Sequence, residues 1–105
     1  MELIYIVEDD KSIREIESVS LVSSNYEVCA FENANQFYEA MARRIPDLIL
    51  LDIMLPDQNG YQIIERIRET AAWKRIPVIL DSSSQGYFTC SIHAPATAKI
   101  SSVIP

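Results

Sequence analysis

Three carboxylates stand where short apolar runs stop. "LIYIVEDD" ends its apolar run on Glu8 and Asp9, and "DLILLD", far along the chain, ends on Asp52. Carboxylates held close together repel, so such a cluster costs stability unless a cation or a proton compensates it. A hard divalent ion suits these donors: Mg²⁺ takes one or two carboxylates, keeps several waters and accepts phosphate oxygens. An aspartate beside that ion can act as a nucleophile toward phosphorus and form an aspartyl phosphate, because the metal offsets repulsion from the incoming group. Each piece alone also has an ordinary reading. Glu8, Asp9 and Asp10 could be an acidic helix cap, Asp52 a turn residue, and "PDQNG" a plain loop. Their joint order and placement favour the chemistry.

For the three to meet, the apolar runs must be neighbouring strands of one parallel sheet. Leu3 to Val7 is continuously apolar and β-rich, as a strand buried on both faces should be. "DDKSIREIESVSLVSS" repeats Ile13, Ile16, Val19 and Val22 at three-residue spacing, which predicts a helix with that row inward, capped by Asp10 or Ser12. Tyr26 to Phe31 is the second strand. "NANQFYEAMARR" is the second helix, with Phe37, Ala40 and Met41 inward, and Pro46 closes that connection. Asp47 to Asp52 is the most apolar strand and the centre of the sheet. The turn-rich "IMLPDQNG" leads into "YQIIERIRETAAW", a helix turning Ile63, Ile64, Ile67 and Ala71 inward, with Lys74 and Arg75 at its C-terminal end. Ile76 to Leu80 is the fourth strand. Alternation of this kind with right-handed crossovers predicts an α/β fold with a doubly wound parallel sheet, strand order 2-1-3-4-5. That order makes the first and third strands neighbours, so Glu8, Asp9 and Asp52 converge at the strands' C-terminal edge.

At 105 residues the chain fits a single domain, 1–105, and its 49% apolar content is that of a soluble globular protein. No apolar run approaches the ~20 residues of a membrane span. Met1 leads straight into the first strand without an export leader, so the expected compartment is the cytoplasm. Cys29 and Cys90 lack C-x-x-C spacing and read as reduced thiols. The net charge of −6 opposes direct nucleic-acid binding and favours a partner with basic or apolar surface. His93 is the only histidine, with no ligand-spaced neighbours, and reads as a packing or surface residue.

Over residues 2–82 the chain resembles the receiver domain of two-component response regulators. "LIYIVEDDKSIREI" is similar to that family's first strand and acidic pair, "PDLILLDIMLPDQNGYQIIERIR" to its phosphoacceptor strand, loop and third helix, and "IPVIL" to its fourth strand. The resemblance implies a flavodoxin-like fold. It implies Asp52 as phosphoacceptor, and Glu8 and Asp9 as the acidic pair, Asp9 being the more direct Mg²⁺ ligand. The main-chain carbonyl of Met54 would complete the metal site, and Pro56 and Gly60 would shape the turn. Ser82 falls at the family's switch hydroxyl, which hydrogen-bonds the phosphoryl group; Asp81 departs from the apolar residue usual before it. The implied partners are a histidine kinase or phosphotransfer protein, with homodimerisation a further option and no contact with membrane.

The resemblance stops at Ser82. The family would supply a fourth helix, then a fifth strand with an aromatic switch residue ending in Lys-Pro, then a fifth helix. Here Ile104 precedes Pro105, Lys99 is the only lysine after Ser82, and "AKISSVI" offers at most a short last strand. The expected fold therefore lacks the last helix, leaves the last strand unassigned, and treats 83–105 as a divergent tail, for which a disrupted or truncated coding region is the simplest account. Two functions follow: a phosphoacceptor switch, or a non-switching receiver that only docks or dimerises because the lysine and fifth helix are absent. A Mg²⁺-dependent phosphatase would need a second Asp two residues past the nucleophile, where Met54 stands. An EF-hand would need alternating oxygen ligands and a closing Glu that "DQNG" lacks.

Overall fold

The computed structural model describes residues 1–81 and 90–93. Eight elements follow in order: β1 Leu3–Val7, α1 Lys11–Ser23, β2 Glu27–Phe31, α2 Ala34–Met41, β3 Leu48–Asp52, α3 Gly60–Glu69, β4 Val78–Asp81 and β5 Cys90–His93. They build one sheet in the order β2-β1-β3-β4-β5, with the first four strands parallel.

Alternation along the strands divides the core between the two faces of the sheet. Leu3, Tyr5, Val7, Ile49, Leu51, Val78 and Leu80 face α2 and α3, which contribute Ala34, Phe37, Met41, Ile63, Ile64 and Ile67. Ile4, Ile6, Leu48 and Ile79 face the other way, toward Leu21 of α1. Strands covered on both faces in this way need the near-continuous apolar runs seen in the sequence. Tyr5 carries a polar tip into the larger layer, where its hydroxyl donates to the Arg44 carbonyl at 2.7 Å. Tyr5→Phe removes that donor from a buried site and is expected to cost about 1 kcal/mol in urea unfolding. An unchanged midpoint would show the bond contributes nothing net.

Three expectations are corrected. The row Ile13, Ile16, Val19, Val22 does not face the core: Ile16, Val19 and Val22 are 67%, 66% and 57% exposed, and Leu21 is the buried residue of α1. Three-residue steps turn 300° each on a helix of 3.6 residues per turn, so the row winds around the helix instead of tracking one face. Ala71 is also exposed, because α3 stops at Glu69 and Arg66 and Arg68, not Lys74 and Arg75, occupy its last turn. The fifth strand takes the expected edge position, but it is Cys90–His93 and it runs antiparallel to β4. Only eight residues separate β4 from β5, fewer than the dozen or so a parallel crossover requires. The segment "AKISSVI" lies outside the described residues.

Candidate functional site

The register between β1 and β3 places the acidic residues. Ile4 to Val7 pair with Leu48 to Leu51, so one further step sets Glu8 opposite Asp52. The Glu8 N–H still donates to the Phe31 carbonyl of β2 at 2.9 Å, which holds Glu8 at the end of the sheet. Carboxylate oxygens of Glu8, Asp9 and Asp52 all come within 4.8 Å of one another. Pairing of β1 with β3 brings Glu8 and Asp52 side by side, and Asp9 joins them from the first residues of the loop after β1.

Glu8 and Asp52 are both buried, at 1% exposure, while Asp9 faces solvent. Burial pushes the Glu8 carboxyl up to about 8, and the neighbouring Asp52 charge adds to the rise; the Asp10 N–H, donating to Glu8 Oε1 at 3.3 Å, works against it. Asp10 turns away to cap α1, accepting from the Ile13 N–H at 3.0 Å. It is thus the cap and not a member of the cluster. Arg14, about one helical turn past the Asp10 cap, donates to the carbonyls of Glu8 at 2.8 Å and Asp9 at 3.3 Å, pinning the backbone of the acidic pair.

The loop after β3 is built around Asp52. The Met54 N–H donates to Asp52 Oδ1 at 3.3 Å, Met54 forms a β-bridge with Asn59, and the Gly60 N–H donates to the Ile53 carbonyl at 2.7 Å. Asn59 caps α3 in a reciprocal arrangement with Gln62. These bonds turn "IMLPDQNG" into a tight return that ends where α3 begins. The donor set therefore suits a hard divalent cation: two buried carboxylates whose mutual repulsion a cation would relieve, and a third open to water.

Of the residues singled out from sequence, Glu8, Asp9 and Asp52 are brought together, and Met54 lies directly beside them. Ser82, Lys99, Ile104 and Pro105 lie outside the described residues, and for Asp81, Cys90 and His93 only the backbone is described. Cys29 is a free, half-buried thiol. Sequence reasoning missed Arg14, whose signal is a cation one helical turn past the Asp10 cap, and the tether that Asp57 and Gln58 make to α2. Asp57 Oδ1 and Oδ2 accept from the N–H groups of Ala34 at 2.9 Å and Asn35 at 3.0 Å, and the Tyr38 hydroxyl donates to Gln58 Oε1 at 2.9 Å. Tyr38 in turn stacks on Trp73 and lies under the Arg66 guanidinium, which explains Trp73 as a packing residue.

An open parallel sheet that gathers carboxylates at the C-terminal edge, where strand order reverses, defines a doubly wound α/β domain with its ligand site at the switch point. The model of the response regulator receiver domain matches residues 4–98, and the chain belongs to that family. It is 39% identical over 77 residues to the phosphate regulon transcriptional regulatory protein PhoB of Pseudomonas aeruginosa, covering 73% of this chain and 34% of that protein. Its fold matches the N-terminal domain of a response regulator receiver protein from Methanoculleus marisnigri JR1 with a TM-score of 0.72 and 30% identity, over 76% of this chain and 65% of that one. It also matches the Mn²⁺-bound form of response regulator Rcp1 with a TM-score of 0.69 and 26% identity, over 76% of this chain and 64% of that one. The chain spans about a third of the length of curated relatives such as PhoB. It is a receiver domain of two-component response regulators, a family of signalling modules. No helix among the described residues is long and apolar enough to cross a membrane.

Proposed function

We propose that Asp52 is the phosphoacceptor of a single receiver domain formed by residues 1–105, and that Glu8, Asp9, Asp52 and the main-chain carbonyl of Met54 hold Mg²⁺. The observation that carries this reading is the meeting of three carboxylates within 4.8 Å at the C-terminal edge of a receiver fold. Such an ion, when bound, offsets charge on the carboxylates and on the arriving phosphoryl group. The protein's own part is positional. Burial excludes water around Glu8 and Asp52, the Met54 N–H orients the Asp52 carboxylate, and the exposed Asp9 leaves the approach open.

An Asp52 oxygen attacks phosphorus, the bond from phosphorus to a donor histidine nitrogen breaks, and an acyl phosphate forms. The donor would be a histidine kinase or a phosphotransfer protein. Support for Mg²⁺ comes from the hard oxygen donors and from the manganese-bound relative Rcp1, since both ions favour oxygen ligands in octahedral sites. Ser82 is assigned the switch hydroxyl because it follows Asp81, whose Cα pairs with that of Asp52 across β3 and β4. Similarity to a transcriptional regulator such as PhoB supports the reading that any DNA binding would belong to another domain, in keeping with the net charge of −6 here.

Incubation of the protein with a small phosphodonor and Mg²⁺ is expected to add one phosphoryl mass to the wild type and none to Asp52→Asn. Chelation of the metal should remove the gain. A domain that docks without accepting phosphate would show no Asp52-dependent gain at any donor concentration, and that result would sink the assignment.

A further inference from the structure

The loop that carries Met54 is tied to a helix it does not adjoin in sequence. The N–H groups of the first residues of α2, Ala34, Asn35 and Gln36, have no partner within the helix, as at every helix start. Asn33 takes only the third, its side chain accepting from the Gln36 N–H at 2.9 Å. The first two, on Ala34 and Asn35, go to the two oxygens of Asp57, 23 and 22 residues away. A carboxylate at a helix N-terminus also meets the positive end of the helix dipole. Partial burial opposes ionisation of Asp57, but the Ala34 and Asn35 donors outweigh it and hold the carboxyl below the usual carboxylate range. The neighbouring Gln58 accepts from the Tyr38 hydroxyl, and the Tyr38 ring itself stacks with Trp73 and carries the Arg66 guanidinium over it. Two consecutive loop residues therefore grip α2 at its first turn and at its middle.

The other end of the same loop reaches Asp52. From Asp57 the chain runs to Asn59, which bridges to Met54, and the Met54 N–H donates to Asp52 Oδ1. A loop held only at its two ends by β3 and α3 would leave that donor free to drift. The bonds to α2 give it a further point of attachment between those ends.

We propose that Asp57, assisted by Gln58 and Tyr38, is a positioning residue: by fixing the loop against α2 it sets the Met54 N–H on Asp52 and so tunes divalent-metal binding at the acidic cluster. The proposal rests on the metal reading above. Partners that orient a metal ligand without touching the ion typically affect affinity by ~10-fold or more when removed. Asp57 thus acts on the site through the loop, its own side-chain oxygens being bonded to α2.

Loss of a helix cap alone could mimic this effect, so Asn33→Ala serves as the control, because it removes an N-cap from the same helix without touching the loop. Mg²⁺ and Mn²⁺ dissociation constants are measured by calorimetry for the wild type, Asp57→Ala, Asp57→Asn and Asn33→Ala. The Met54 amide resonance is followed in the same proteins without metal. Asp57→Ala is expected to weaken metal binding on the order of tenfold and to shift the Met54 amide. Asp57→Asn, which keeps one acceptor, should lie between it and the wild type. Asn33→Ala should lower the melting temperature but leave both the affinity and the Met54 amide unchanged. Equal affinities and an unmoved Met54 amide in Asp57→Ala would overturn the proposal, as would equal losses in Asp57→Ala and Asn33→Ala. No metal binding by the wild type would overturn the metal reading and the tuning role together; the Met54 amide would then still report whether the grip orders the loop.

Discussion

Asp52→Asn is expected to make the metal-free domain more stable, by about 1–2 kcal/mol, while abolishing acyl phosphate formation. The side chain is buried beside Glu8, so the wild type carries the cost of two acidic groups in one desolvated place. Asparagine has the same shape and keeps an oxygen for the Met54 N–H, so packing and the loop bond survive while the charge goes. The nucleophile and a metal ligand are lost with it.

The pH dependence of the metal-free wild type reports the same conflict. The Glu8 carboxyl is raised from 4.5 to about 8, so the folded state holds a proton that the unfolded state releases between those values. Its contribution to stability is fully present below about 4.5 and is lost as pH rises toward about 8. Urea midpoints of the metal-free protein should therefore fall across that window, with a shallower fall in Asp52→Asn, where burial and the Asp9 charge still raise Glu8 but Asp52 no longer does. Mg²⁺ should reverse the trend in the wild type, because it competes with the proton and binds better as Glu8 ionises. Parallel pH profiles for wild type and variant would show that Asp52 does not act on Glu8.

Gly60→Ala is the second large effect, and two opposing terms decide its sign. Alanine in a helix is favoured over glycine by ~1 kcal/mol, so propensity alone predicts stabilisation. A Cβ at position 60, however, would lie 2.7 Å from the Asp52 carbonyl oxygen and 2.9 Å from the Ile53 Cα. Both are backbone atoms of the acceptor strand's end and cannot turn aside as a flexible side chain would. The clash must be relieved by lifting α3 from β3, which also breaks the 2.7 Å bond from the Gly60 N–H to the Ile53 carbonyl. Overpacking of this kind costs about 3 kcal/mol, so the net result is destabilisation by roughly 2 kcal/mol. The displaced loop should slow phosphorylation at Asp52 as well. Urea unfolding with an unchanged m-value, together with the rate of mass gain from a phosphodonor, checks both parts; a stabilised variant would show that α3 can shift without cost.

The strand and helix alternation was legible because each strand is buried on two faces and each helix punctuated by turn chemistry. Glu8, Asp9 and Asp52 were legible because a carboxylate closing an apolar strand is conspicuous. The inward face of α1 was not. Ile16 and Val19 look like core in a linear pattern, yet helix geometry points them outward and leaves Leu21 to meet Ile4 and Ile6.

The α/β architecture, the acidic residues at the strand ends and the turn that follows Asp52 are readable from the chain alone, because these depend on local periodicity and local chemistry. How near the carboxylates come, that the edge strand Cys90–His93 runs antiparallel, and that Asp57 reaches across to Ala34 and Asn35 emerge only in the folded molecule. Those features depend on strand register and on bonds between residues distant in the chain, and no local pattern of residues specifies which remote partner a backbone donor will find.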